Sequence, residues 1–64
     1  MTNRAKLILT EQPTKTDKAW KLNIKDQGEF WIPFTFIQGY TPWNREIIID
    51  SFILDEKGIK YKAL

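Results

Sequence analysis

The sequence predicts a mainly β fold: a small antiparallel sheet or barrel, OB-like or SH3-like, of four or five strands, with one short C-terminal helix as an option. Three observations carry this expectation. Residues 18–25, KAWKLNIK, alternate apolar and polar side chains, which is the period of a half-buried strand. DQG followed by EFWIPF then reads as a three-residue hairpin loop and a returning strand. Finally, the chain has 64 residues with no cysteine and no histidine. That length makes a single small β-rich domain, residues 1–64, and neither a disulfide nor a tetrahedral zinc site is available to brace it. A domain of this size buries only about 60% of the surface its unfolded chain exposes. Three Trp, four Phe and two Tyr carry large burial areas, so dense aromatic packing, or burial against a partner, is the expected compensation.

The elements follow in order. Lys6 to Thr10 is apolar and partly β-branched and reads as a first strand. Glu11 to Asp17, polar with Pro13, reads as a loop or hairpin connection. In the strand Lys18 to Lys25, Trp20, Leu22 and Ile24 share one face, and Lys21, Asn23 and Lys25 share the other. Asp26-Gln27-Gly28 forms the loop, with Gly28 left-handed, and Glu29 to Phe34 returns. Lys25 opposite Glu29 sets the register, so Ile24 meets Phe30 and Leu22 meets Ile32, while Trp31 joins the polar face. Pro33 cannot donate to a ladder and marks a strand end or edge. Phe34 to Ile37 reads as a short helical turn or a continued strand. Gln38 to Asn44, QGYTPWN, reads as a loop. Arg45 to Asp50, REIIID, is a strand that turns Ile47 and Ile49 inward. Two readings stay open for residues 51–62: a helix capped by Asp50 or Ser51 and stopped at Gly58, or a hairpin turning at Asp55-Glu56-Lys57-Gly58.

Ten Lys plus Arg against eight Asp plus Glu leave a net charge of +2. The cations concentrate early: residues 1–25 sum to +4 and residues 26–64 to −2. A positive chain is no acidic mimic of DNA, and it permits a nucleic-acid partner without requiring one. The polar start, Met1 to Lys6, gives no expectation of a signal peptide. No run approaches the ~20 apolar residues of a membrane helix. A soluble, cytoplasmic protein with no membrane partner is expected.

An enzyme is not expected. Without His or Cys, the hydroxyls lack a base or a nucleophile motif. Asp50, Asp55 and Glu56 are close enough for acid–base work or magnesium, but they read first as a solvated turn or helix N-terminus. The three glycines are isolated and form no phosphate loop. No cofactor and no metal are expected. The binding features are more informative. Trp31 stands among Lys21, Asn23 and Lys25, and Arg4 and Lys6 join them if the first strand pairs alongside. An aromatic ringed by cations suits single-stranded nucleic acid, with bases on the ring and lysines at the phosphates. The opposing reading buries Trp31 under the C-terminal segment or the QGYTPWN loop. Tyr40 and Trp43 in that loop are either partner contacts or a lid on one end of the fold. Trp20 reads as structural.

The motifs D-K-A-W-K-L at 17–22, E-F-W-I-P at 29–33 and D-E-K-G-I at 55–59 resemble a group of small domains encoded by bacteriophages and other mobile elements. Those domains carry a K-A-W-L strand, a G-E-x-W-I-P strand and a C-terminal E-K-G-L. The resemblance spans about residues 6–59. It implies a phage or mobile-element origin, hence a host cytoplasm, and a small β-rich fold rather than an activity. The chain departs from the pattern at Phe34-Thr35, where the group carries a polar pair, and at Phe52, where it carries a tryptophan-like position. Taken together, the expected function is a non-enzymatic module binding nucleic acid, single-stranded by preference, through Arg4, Lys6, Lys21, Lys25 and Trp31. The alternatives are a protein-interaction or inhibitor module that meets a host protein through Tyr40 and Trp43, and an obligate homo-oligomer, a homodimer for instance, with Trp31 at its interface.

Overall fold

A computed structural model describes residues 3–63. In chain order its elements are β1 (Arg4–Ile8), β2 (Thr14–Lys15), β3 (Ala19–Ile24), β4 (Gly28–Pro33), a 3-10 turn (Phe34–Phe36), β5 (Ile37–Thr41), β6 (Glu46–Asp50), α1 (Ser51–Lys57) and β7 (Lys62–Ala63). The fold is mainly β. Its strands form two antiparallel sheets, β5-β6-β1-β7 and β2-β3-β4, rather than a closed barrel. The expected count of four or five strands corresponds to the five strands of five or six residues, and β2 and β7 are two-residue additions. No helix among the described residues is long and apolar enough to cross a membrane.

The sheets meet at the end of β1. Leu9 forms a lone antiparallel bridge to Ile24. The Thr10 N–H donates to the Asn23 carbonyl at 2.9 Å, and the Lys25 N–H donates to the Ile8 carbonyl at 3.1 Å. The first strand therefore serves both sheets. At the opposite end the Phe34 N–H donates to the Lys18 carbonyl at 3.0 Å, tying the 3-10 turn to the start of β3.

Strand alternation turns Ala5 and Leu7, Leu22 and Ile24, Ile32, and Ile47 and Ile49 inward. Leu9, Ile53, Leu54 and Ile59 complete the core. Every one of these eleven residues is aliphatic, which corrects the expectation of an aromatic core. Trp20, Phe30, Phe36, Tyr40 and Tyr61 pack around the rim, while Trp31, Phe34, Trp43 and Phe52 are exposed. The reason is one of volume. Two small sheets facing each other leave space for interdigitated Leu and Ile, and larger rings fit where one edge reaches solvent.

The hairpin register differs from expectation by two residues. Ile24 lies opposite Gly28, Asn23 opposite Glu29 and Lys21 opposite Trp31. The turn closes earlier than the sequence implies. The Gln27 N–H donates to the Ile24 carbonyl at 3.0 Å, and Asp26 takes the left-handed conformation at φ 68°. Gly28, at φ 97°, opens the returning strand. A two-residue slip preserves the faces of a strand, so Trp31 still shares the outer face with Lys21 and Asn23.

Two segments read as loops are strands. Gln38 to Thr41 belongs to β5, which pairs with β6 across a bulge between Ile37 and Gly39. Thr14-Lys15 pairs with β3. Pairing partners, not local alternation, decide both. For residues 51–62 the helix holds, and a short strand follows it. The Phe52 N–H donates to Asp50 Oδ1 at 3.0 Å, and Gly58, left-handed at φ 70°, donates its N–H to the carbonyls of Asp55 and Leu54. Denaturant unfolding should show that Ile47→Ala loses about 2–5 kcal/mol of stability. Asp50→Ala, which removes the cap, should lose about 1 kcal/mol.

Candidate functional site

The expected cationic ring around Trp31 is divided between the two sheets. On the outer face of the three-stranded sheet, Trp31 is 46% exposed and directly opposite Lys21. Lys21 reaches Glu29 at 3.7 Å, an exposed pair worth little in energy that offsets the one cation beside the ring. The Asn23 side-chain amide donates to Glu11. Arg4 and Lys6 stand on the other sheet, because β1 pairs with β6 and β7. Arg4 lies in register with Asp50, and Lys6 forms an ion pair with Glu46 at 3.2 Å. Lys25 is exposed in the hairpin loop.

What the fold does bring together is Lys6, Lys25, Lys60 and Lys62. They line a shallow cleft of about 330 Å³ at the seam between the sheets, with Gln27 and Tyr61 also on its wall and no acidic residue among its lining. Three local features build it. Gly58 ends α1 and redirects the chain, and Ile59 anchors in the core. The Gln27 side chain then clamps the next residue: its amide N–H donates to the Lys60 carbonyl at 2.7 Å, and the Lys60 N–H donates to Gln27 Oε1 at 2.7 Å. Beyond the clamp, β7 pairs with β1 and sets Lys62 opposite Lys6. The hairpin tip carrying Lys25 is fixed from the other side by its N–H bond to Ile8. Four lysines from three separate segments thus line one hollow together with Leu7, Ile8 and Ile24, and one of the four, Lys6, has its ammonium paired with Glu46.

Tyr61 is held in this wall by its hydroxyl, which donates to Asp55 Oδ1 at 2.8 Å. That hydrogen bond raises the phenol pKa above its ordinary value, reinforced by partial burial and by the charge of Asp55. The neutral phenol is the form the fold favours. Its contribution to stability is therefore complete below the ordinary phenol pKa and is lost as pH rises through the raised value. Of the acid–base candidates, Asp50 caps α1 and Asp55 holds Tyr61. No group of three or more His, Cys, Asp or Glu side chains gathers among the described residues.

Tyr40 and Trp43 differ sharply. Tyr40 packs edge-on against Trp20, centroids 6.1 Å apart, donates its hydroxyl to Gln12, and shares with Trp20 the ammonium of Lys15, which lies 4.5 Å from the Trp20 centroid and 5.8 Å from that of Tyr40. Trp43 is 85% exposed on a turn tied at three points. Gln12 donates to the Pro42 carbonyl at 3.0 Å, Asn44 Oδ1 accepts from the Glu46 N–H at 3.1 Å, and the Arg45 carbonyl accepts from the Leu9 N–H at 2.9 Å.

Reading the sequence missed Lys60, Lys62, Tyr61 and Gln27. The signal present was the alternating K-Y-K after Gly58-Ile59, which places two lysines on one side of an extended segment. No protein-family model, curated protein or solved structure matches the chain. In an ultraviolet titration of the phenols, Asp55→Ala should move the ionisation of Tyr61 to lower pH. An unmoved curve would remove Asp55 as the cause of the raised value.

Proposed function

We propose that this chain is a non-enzymatic binding module that takes the phosphate backbone of single-stranded nucleic acid into the lysine-lined cleft. The observation that carries this reading is the convergence of Lys6, Lys25, Lys60 and Lys62 on one hollow with no acid in its lining, on a chain whose net charge is only +2. A concentration of like charge releases counterions when phosphates replace them. The Tyr61 ring on the same wall offers a sequence-tolerant stacking surface, which unpaired bases can use and the stacked bases of a duplex cannot. In this reading Lys6 and Lys25, the phosphate contacts expected from sequence, act with Lys60 and Lys62, and Gln27 acts as a positioning residue. The motif resemblance to phage and mobile-element domains supports an origin there.

Fluorescence anisotropy of a labelled poly-thymidine oligonucleotide tests this reading at low and at physiological salt. Binding should weaken as salt rises. The double variant Lys25→Gln/Lys60→Gln should bind more weakly and flatten the slope of log affinity against log salt by about 0.7 for each lysine removed. Gln27→Ala should weaken binding with every charge retained. Absence of binding at low salt, or binding that these variants leave unchanged, overturns the proposal.

A second reading rests on Trp43. A nearly free indole on a tied turn is a pre-organised anchor, since little side-chain or loop freedom is lost when it docks. Under this reading the chain is an interaction or inhibitor module for a host protein. Trp43→Ala should change unfolding free energy by no more than about 0.5 kcal/mol while abolishing retention of host proteins on the immobilised chain. Equal retention by the variant removes this reading.

A further inference from the structure

We propose that β4 is a pairing edge for a second copy of this chain, joining two three-stranded sheets into one six-stranded sheet about a two-fold axis at Phe30.

The inference starts from the edges. Each sheet has two edge strands, β5 and β7 in one and β2 and β4 in the other. Three of the four are blunted in ways that discourage pairing with another chain. β2 and β7 have two residues each and carry Lys15 and Lys62, and β5 is bulged between Ile37 and Gly39. β4 has six residues, no lysine and no register shift against β3.

Backbone direction along β4 follows from the bridge at Leu9. The Asn23 carbonyl and the Lys25 N–H point toward β1. Alternation along β3 therefore turns the backbone groups of Trp20, Leu22 and Ile24 toward β4, to Ile32, Phe30 and Gly28 respectively. The N–H and C=O groups of Glu29 and Trp31 must then point out of the sheet. No hydrogen bond among the described residues reaches them from a loop, a turn or a side chain. Pro33 shares their direction but has only a carbonyl to offer.

These groups select one symmetric antiparallel register. Centring the pair on Glu29 sets two carboxylates directly opposite each other, which is destabilising. Centring it on Trp31 also allows four N–H···O bonds, but it sets Glu29 opposite the partner's Pro33, whose ring takes the place of the missing N–H and leaves the Glu29 carbonyl crowded and unpaired inside the ladder. Centring it on Phe30 sets Glu29 opposite the partner's Trp31 twice over, giving four N–H···O bonds, and leaves Pro33 outside the ladder. The two Phe30 residues then form the close, non-hydrogen-bonded pair on the core side. On the outer side each exposed Trp31 ring gains the partner's Glu29 as a neighbour, with its own Lys21 opposite it on β3. The strand that leaves two amides free thus meets its complement in a copy of itself, as a two-fold interface requires.

Sedimentation equilibrium on the intact chain should show the mass rising toward twice the monomer's with concentration. Backbone amide exchange should slow at Glu29 and Trp31 over the same range, with the amides of β2, β5 and β7 unaffected. Trp31→Pro removes an N–H that bonds nothing within one copy and should abolish association. Trp31→Ala keeps that N–H and should weaken association without abolishing it. A monomer at every concentration overturns the proposal. So does a dimer that protects another edge, or one that survives Trp31→Pro. If Trp31→Pro does not fold, the exchange pattern of the unaltered chain decides the matter alone. Neither Lys25 nor Lys60 enters the ladder, so loss of association and loss of oligonucleotide binding are read separately.

Discussion

Between Ile8 and Thr10 the first strand leaves one sheet and bonds to the other. The Leu9 side chain fills the join at 1% exposure. Its N–H is taken by the Arg45 carbonyl of the β5–β6 turn, while the neighbouring backbone groups bond to Asn23 and Lys25. The join therefore touches the hairpin of the three-stranded sheet, the turn of the four-stranded sheet and the core between them. Without that join, a three-stranded sheet and a four-stranded sheet would each expose an apolar face too small to be stable alone. The join also brings the hairpin tip beside β1, and the lysine cleft depends on that placement.

The cleft shows how a weakly charged chain concentrates charge. Its four lysines come from β1, the hairpin loop and the segment after α1. Like charges repel, so the fold must hold them together by other means. It does so with bonds that carry no net charge: the paired amide bonds between Gln27 and Lys60, the β1–β7 ladder, and the Gly58 turn anchored by Ile59. The ion pair of Lys6 with Glu46 relieves part of the repulsion. The repulsion that remains is what an anionic ligand would discharge.

The aromatics follow a different logic. In a larger domain they fill the centre, but here the centre is too thin and Leu and Ile suffice. Five rings seal the rim, as Tyr40 does against Trp20. Four remain exposed, as single apolar residues on a small protein's surface ordinarily are. Trp31 lies beside an edge strand and Trp43 on a tied turn, on different elements of the fold.

The readable part of the molecule was local. Alternation in KAWKLNIK and EFWIP determined two strands, their facing and the outward position of Trp31, because side-chain direction in a strand repeats every two residues whatever it pairs with. Ile47 and Ile49 were legible as core for the same reason, and Asp50 and Gly58 as helix ends, since caps are local chemistry. Tertiary structure alone decided the rest. β5 has no alternation to read, and it is a strand because β6 offers it partners. The hairpin register turned on which residue took the left-handed turn position, Asp26 rather than Gly28 alone. Arg4 and Lys6 fell on the sheet away from Trp31 because strand order is a long-range property. Lys60 and Lys62 became part of a cleft with Lys6 and Lys25 because one glutamine side chain, 33 residues from its partner, supplies the paired bonds of a missing strand. By itself the sequence determined which faces are apolar, since that depends on period. Which faces and which charges meet is set by loop closure and strand pairing, whose free energies depend on residues far apart in the chain.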